Sequence, residues 1–145
     1  MKNKDNNLYE AQRWINQAEK DLATAKWDFK GKFYSQVCFM CQQVGEKALK
    51  AFCYQKGERN VIGHTVMELA RKCCRLDCGF PLLEREARRL DKYYIITRYP
   101  NGLPGFIPAD YFDEEEAKEA LEYAKKILNI VKRKISRGGL EKDAY

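Results

Sequence analysis

The chain has 145 residues, the size of one domain, and is long enough to bury a core. Hydrophobic residues make up 45% of it and charged residues 33%, which excludes a disordered polar chain. With 27 basic and 21 acidic residues the formal charge is +6, a balance that suits an anionic partner such as nucleic acid or a nucleotide. No apolar run has the length of a membrane span, and the start, Met1 to Asn7, lacks the apolar core of a signal peptide. A cytoplasmic protein with no membrane partner is expected.

The pattern predicts helices near 10–29, 34–54, 65–75, 81–95 and 113–135. In the first, Trp14, Ala18, Leu22, Ala25 and Phe29 recur at steps of three and four, and Asp21 falls between them as a candidate buried carboxylate. Gly31 ends it. In the second, Cys41, Val44, Ala48, Ala51 and Phe52 form the apolar stripe, while Gln42, Gln43, Glu46, Lys47 and Lys50 fall on other faces. Glu46 and Lys50 stand four apart in the order that favours an intrahelical pair, and Gly57 supplies the stop. Thr65 and Glu68 have capping-box spacing and open the third helix. Pro81 suits the first turn of a fourth, whose buried side is marked by Leu83, Ala87, Leu90 and Tyr94.

The stretch from Arg98 to Phe112 holds three prolines and two glycines by residue 108, so it cannot be regular helix. Its aromatics and Ile107 predict a loop pinned to the surface, and loops of this length are often functional. Asp113 caps the last helix, with Glu114, Glu115 and Glu116 at its positive end. The fold expected is an all-α, up-and-down bundle of four main helices plus a short one, with the long Pro/Gly loop before the last. A polar N-terminal arm (1–7) and a polar, loose C-terminal tail (136–145) flank the bundle domain (8–135).

Six cysteines are many for a cytosolic chain. Zinc would require two pairs to converge, whereas Cys38 and Cys41 lie in an apolar stripe where thiols serve as small hydrophobes. There is no phosphate-binding glycine loop and no metalloprotease motif, so no metal or cofactor is predicted.

Four stretches carry a resemblance. Trp14 with Ala18–Ala25, Phe39–Ala51, Gly63-His64-Thr65 followed by Leu69, and Asp91–Pro100 with Tyr94 and Arg98-Tyr99-Pro100 occur in an order that resembles HEPN domains. The likeness extends from about Leu8 to Ile135. It implies a four-helix core plus a shorter helix, usually as a homodimer, and two functional branches. One binds nucleotides or partners a minimal nucleotidyltransferase in a toxin–antitoxin-like pair. The other is a metal-independent endoribonuclease with an arginine four to six residues before a histidine.

For the first branch, Arg98 could grip phosphate as a bidentate fork, Tyr99 could stack on a base, and Lys47 and Lys50 could line the same cleft. The alternative for Arg98 is a loop anchor bonded to Asp91 or Asp110. For the second branch, His64 is the only histidine and Arg59 lies five positions before it. His64 could take the proton of a ribose 2'-hydroxyl while Arg59 steadies charge on the phosphate. A third reading is a helical assembly module without catalysis.

Overall fold

A computed structural model describes the backbone of residues 2–143 and the side chains of residues 5–136. Six α-helices follow in order: α1 (Lys2–Lys30), α2 (Tyr34–Gln55), α3 (Val66–Leu76), α4 (Glu84–Asp91), α5 (Pro108–Tyr111) and α6 (Glu114–Asp143). Among the described residues there is no strand, and no helix is long and apolar enough to cross a membrane.

α1 and α2 form an antiparallel hairpin, since Phe29 meets Tyr34, Asp21 meets Lys47 and Trp14 meets Tyr54. α2 is the central helix and packs against α1, α3, α4, α5 and α6. Its environment explains why its expected outer faces are buried too. Gln42, Glu46 and Lys50 are enclosed together with Cys41, Val44 and Ala48. At Gly45 the neighbouring helices come close: a Cβ there would lie 3.2 Å from Leu90 Cδ1 and 3.5 Å from both Val66 γ-carbons.

The capping expectations hold in their main half. Thr65 Oγ1 accepts from Glu68 N at 3.1 Å, and Asp113 Oδ1 accepts from Glu116 N at 2.8 Å. Thr65→Ala should cost about 1 kcal/mol in urea unfolding, the usual worth of such a cap. An unchanged midpoint and slope would show that Thr65 is not stabilising α3.

Several boundaries differ from the expectation. α1 starts at Lys2 rather than near Glu10, because no proline or glycine interrupts residues 2–9 and Asp5 sits favourably in the first turn. α6 continues to Asp143 rather than ending near Ile135, as no proline stops it. Pro81 lies outside α4, which begins at Glu84 after the N-cap Leu83. Phe80 and Leu83 are both buried, so the chain before α4 is folded onto the core instead of winding into helix. α4 ends at Asp91, and residues 92–98 run as turns with Tyr93 N bonded to Leu90 O and Arg98 N to Ile95 O. The Ile95-Ile96-Thr97 run is a poor helix former, which favours that unwinding.

The proline-rich loop contains a 3-10 turn at Pro100–Gly102 and the single turn of α5. It is pinned by Leu103, Pro108 and Phe112, which are buried, whereas Phe106 and Ile107 face outward.

The cysteines are dispersed. Cys38 and Cys41 are core residues of α2, and Cys53 meets Cys73 of α3 with sulfurs 3.9 Å apart. Cys74 points at the Phe80 and Pro81 carbonyls and Cys78 is exposed. Burial pushes the Cys38 thiol up to about 12, helped by the carboxylates of Glu116, Asp113 and Glu119. Burial raises the Cys41 thiol as well. Both therefore behave as packing groups rather than nucleophiles.

Candidate functional site

Arg98 is the centre of the arrangement. The turn that carries it is fixed by Arg98 N and Tyr99 N, both bonded to Ile95 O at 3.0 and 3.3 Å. Its Nε donates to Tyr94 O at 2.9 Å. The guanidinium carbon lies 4.5 Å from the Phe39 ring centre, 4.8 Å from Tyr94 and 5.2 Å from Tyr99. Among the described residues it makes no ion pair. The cation is thus held by three aromatic faces and one carbonyl, which leaves its terminal N–H groups for something else.

Asp91, expected as a possible anchor for Arg98, has another task. Its two oxygens accept from Val66 N at 2.7 Å and Met67 N at 3.0 Å, closing the start of α3. Burial pushes this carboxyl above its ordinary range, while the two backbone donors pull it back. Asp110 does not reach Arg98 either; it belongs to the single turn of α5.

His64 sits at the mouth of α3. Gly63 precedes it with φ +123°, a conformation that favours glycine, and the His64 carbonyl accepts from Gln42 Nε2 at 3.1 Å. The imidazole side chain is 67% exposed and lies parallel to Tyr94, with centroids 6.4 Å apart and planes at 5°. Tyr94 therefore touches His64 on one side and Arg98 on another.

Behind the imidazole is Glu46. His64 Nδ1 is 3.5 Å from Glu46 Oε1, an ion-pair approach rather than a hydrogen bond, and that buried oxygen has no hydrogen-bond partner. Glu46 Oε2 is 3.9 Å from Lys50 Nζ. Burial raises the Glu46 carboxyl, and Lys50, His64 and Lys47 oppose the rise. A carboxylate on the inner nitrogen favours a proton there and turns the outer nitrogen, Nε2, to solvent.

The remaining candidates are spread out. Lys50 is buried between Glu46 and the Trp14 ring, 5.5 Å from its centre, and cannot reach a surface ligand as it stands. Lys47 pairs with Asp21 at 2.5 Å and faces a separate hollow lined by Arg13, Trp14, Gln17 and Lys20. Asp21 is buried, and Gln17 holds its other oxygen. Arg59 lines a further hollow with Asn6, Asn7, Tyr54 and Glu58. The structure thus sets Arg98 beside Tyr99, links His64 to Arg98 through Tyr94 and to the buried Lys50 through Glu46, and places Arg59 and Lys47 at other hollows.

Sequence reasoning did not assign a site role to Phe39, Tyr94, Gln42 or Glu46. Phe39 and Glu46 are seven residues apart, two turns along one face of α2, so a helical projection could have paired them.

Comparison with known proteins agrees with this architecture. A family model described as HEPN domain matches residues 11–134. A Methanocaldococcus jannaschii protein named "Putative toxin MJ1304" is 30% identical over 139 residues, covering 87% of this chain and 88% of the relative. The crystal structure of TT1696 from Thermus thermophilus is similar with a TM-score of 0.81 and 36% identity, covering 86% of this chain and 98% of that one. ST0689, described as an archaeal HEPN homologue, gives 0.69 and 34%, with coverage of 87% and 98%. An HEPN domain protein of Thermotoga maritima, tm0613, gives 0.67 and 29%, with coverage of 86% and 98%. With the family pattern spanning nearly all of the described bundle, the chain belongs to the HEPN family.

Proposed function

We propose that this HEPN protein binds a phosphate-bearing ligand, RNA or a nucleotide, at the Arg98 cluster, as one half of a toxin–antitoxin-like pair whose other half is a minimal nucleotidyltransferase. The observation that carries the reading is the state of Arg98. A guanidinium backed by three aromatic rings, with its terminal donors free of carboxylates, is pre-ordered for a phosphate, so it loses little entropy on binding. Tyr99 is half exposed beside it and offers a stacking face to a base. The toxin in the name of the Methanocaldococcus relative supports the paired-system part.

Arg98→Ala should weaken RNA binding roughly tenfold, the range for a charged hydrogen-bonding group. It should also flatten the dependence of log K on log salt by about 0.7, the share of one phosphate contact on a single strand. The measurement is a fluorescence titration at several salt concentrations, with nucleotides run alongside. Binding equal to the parent, with a much lower melting temperature, would make Arg98 a structural anchor and retire the site.

A second reading is a metal-independent endoribonuclease, favoured by the Glu46–His64 contact. Glu46 would keep the proton on Nδ1, and Nε2 would accept the proton of a 2'-hydroxyl. The arginine that geometry favours for this role is Arg98, joined to His64 through Tyr94, rather than Arg59. Cleavage that survives chelator and vanishes in His64→Ala, with binding kept, would support it. No cleavage by the parent would remove it.

A further inference from the structure

Two thiols on different helices meet in the interior. Cys53, in the last turn of α2, and Cys73, in the last turn of α3, are both fully buried, and their sulfurs stand 3.9 Å apart. A second contact aims Cys73, whose Sγ donates to Leu49 O at 3.6 Å. The other four cysteines are placed differently. Cys38 and Cys41 share one helix in the core, Cys74 turns to the carbonyls of Phe80 and Pro81, and Cys78 is exposed.

The contact is chemically uneven. The hydrogen bond from Cys73 holds the Cys53 thiol below its ordinary range, and the same bond together with burial pushes Cys73 up. Cys53 is thus the sulfur that gives up its proton first, and the thiolate is the form that reacts with an oxidant. Lys72 favours that thiolate and Glu58 opposes it. These two side chains pair at 3.6 Å and are both partly exposed, so the sulfurs lie just beneath a solvent-facing ion pair. Glu58 belongs to residues 56–65, which form no helix or strand and turn at Gly57 with φ +102°. Its backbone nitrogen bonds Cys53 O at 3.1 Å. A connection of this kind opens locally without unfolding the bundle, which admits a small uncharged oxidant.

We propose that Cys53 and Cys73 form a redox site: a peroxide joins them in a disulfide that staples α2 to α3, and a dithiol reductant releases it. The Cys53 thiolate attacks one oxygen of hydrogen peroxide, the O–O bond breaks, and hydroxide leaves, taking up the proton that Cys53 gave up to become the first water. The Cys73 sulfur then attacks the Cys53 sulfenic acid. The S–S bond forms, the S–O bond breaks, and the departing hydroxide takes the Cys73 proton as a second water. The two thiols lose two electrons and two protons, and the peroxide gains both. To reach a bonded separation of about 2.05 Å each sulfur moves by about 1 Å, which rotation about its own Cα–Cβ bond supplies. The two cysteines are 20 residues apart in the chain, and the segment between them carries Arg59, Gly63 and His64. Closing that loop restricts the unfolded chain, so oxidation reinforces the joint from which His64 projects. The inference does not depend on the Arg98 reading.

Peptide mapping tests it. The reduced chain is treated with hydrogen peroxide, free thiols are capped with iodoacetamide, and tryptic peptides are identified by mass spectrometry. The expected product links residues 51–56 to residues 73–75 and is two hydrogens lighter than the sum of its parts. Cys73 and Cys74 share that second peptide, so Cys74→Ser should keep the link and Cys73→Ala should lose it. The oxidised protein should melt about 8 °C higher than the reduced one. Amide exchange at residues 56–65 should slow several-fold, and dithiothreitol should reverse both changes. No link at peroxide doses that oxidise the exposed Cys78 would overturn the inference. So would a link that is lost in Cys74→Ser, a link that forms only in the urea-unfolded chain, or a linked protein that melts below the reduced one.

Discussion

Phe52→Ala should lower the unfolding free energy by about 4 kcal/mol, within the range for removing a buried phenylalanine from a packed core. The ring is 1% exposed on the central helix and sits 4.7 Å from Phe80. Phe80 belongs to the connection between α3 and α4, and its backbone nitrogen is tied to Asp77 O at 2.9 Å. Truncation therefore opens a cavity and releases the segment that closes the far side of the bundle. The melting temperature should drop by roughly 10 °C for a chain of this size. Urea unfolding followed by circular dichroism checks both numbers. A loss below about 1 kcal/mol would mean the site collapses around the alanine.

Asp91→Ala should cost about 3 kcal/mol, since it removes the acceptor of two N–H groups at the start of α3 and one of them, on Val66, is buried. The effect should extend to His64, two residues before Val66. Amide exchange at residues 64–68 should accelerate more than at α1 or α6. Uniform acceleration would instead indicate global loosening. Asp91 also predicts a pH trend. Its folded pKa is raised, so the folded state binds the proton more tightly than the unfolded chain. Stability should then fall as pH rises from about 4 through the raised value. Asp91→Asn should flatten that slope, because it cannot ionise.

Much of the bundle was legible because its stripes are simple. Of the stripe expected in the first helix, Ala18, Leu22 and Ala25 are buried in the core, and Trp14 and Phe29 pack against it partly buried. Ala11 and Ile15 extend the buried row beyond that expectation. The Thr65 and Asp113 caps could be read from residue type alone. The boundaries of α4 were harder. Pro81 is a good first-turn residue, but Phe80 and Leu83 gain more by burial than a helical turn there would supply. The candidate site was legible in part. Arg98, Tyr99 and His64 stood out by type and setting. Their connection runs through Tyr94 and Glu46, whose contacts depend on how α2 meets the loop after α4, and no local pattern encodes that meeting. The polar side of α2 misled for the same reason. Lys50 reads as a surface cation in isolation, yet with five helices packed on α2 only the side of Gln36, Met40, Gln43 and Lys47 keeps contact with solvent, and Lys50 lies on the buried side.

The central position of α2 also bears on how the chain folds. Its partner α1 is the sequence neighbour, joined by a turn of three residues, so the first large contact brings together groups close in the chain. Loop closure costs little there, and helical hairpins of this kind form early and fast. The hairpin then offers α3, α4 and α6 a template, and α6, which follows the proline-rich loop, is expected to dock last. The expected kinetic signature is polarised. Substitutions in the α1–α2 seam, such as Ala18→Gly, should slow folding, whereas substitutions in α6, such as Ile127→Val, should act mainly by speeding unfolding.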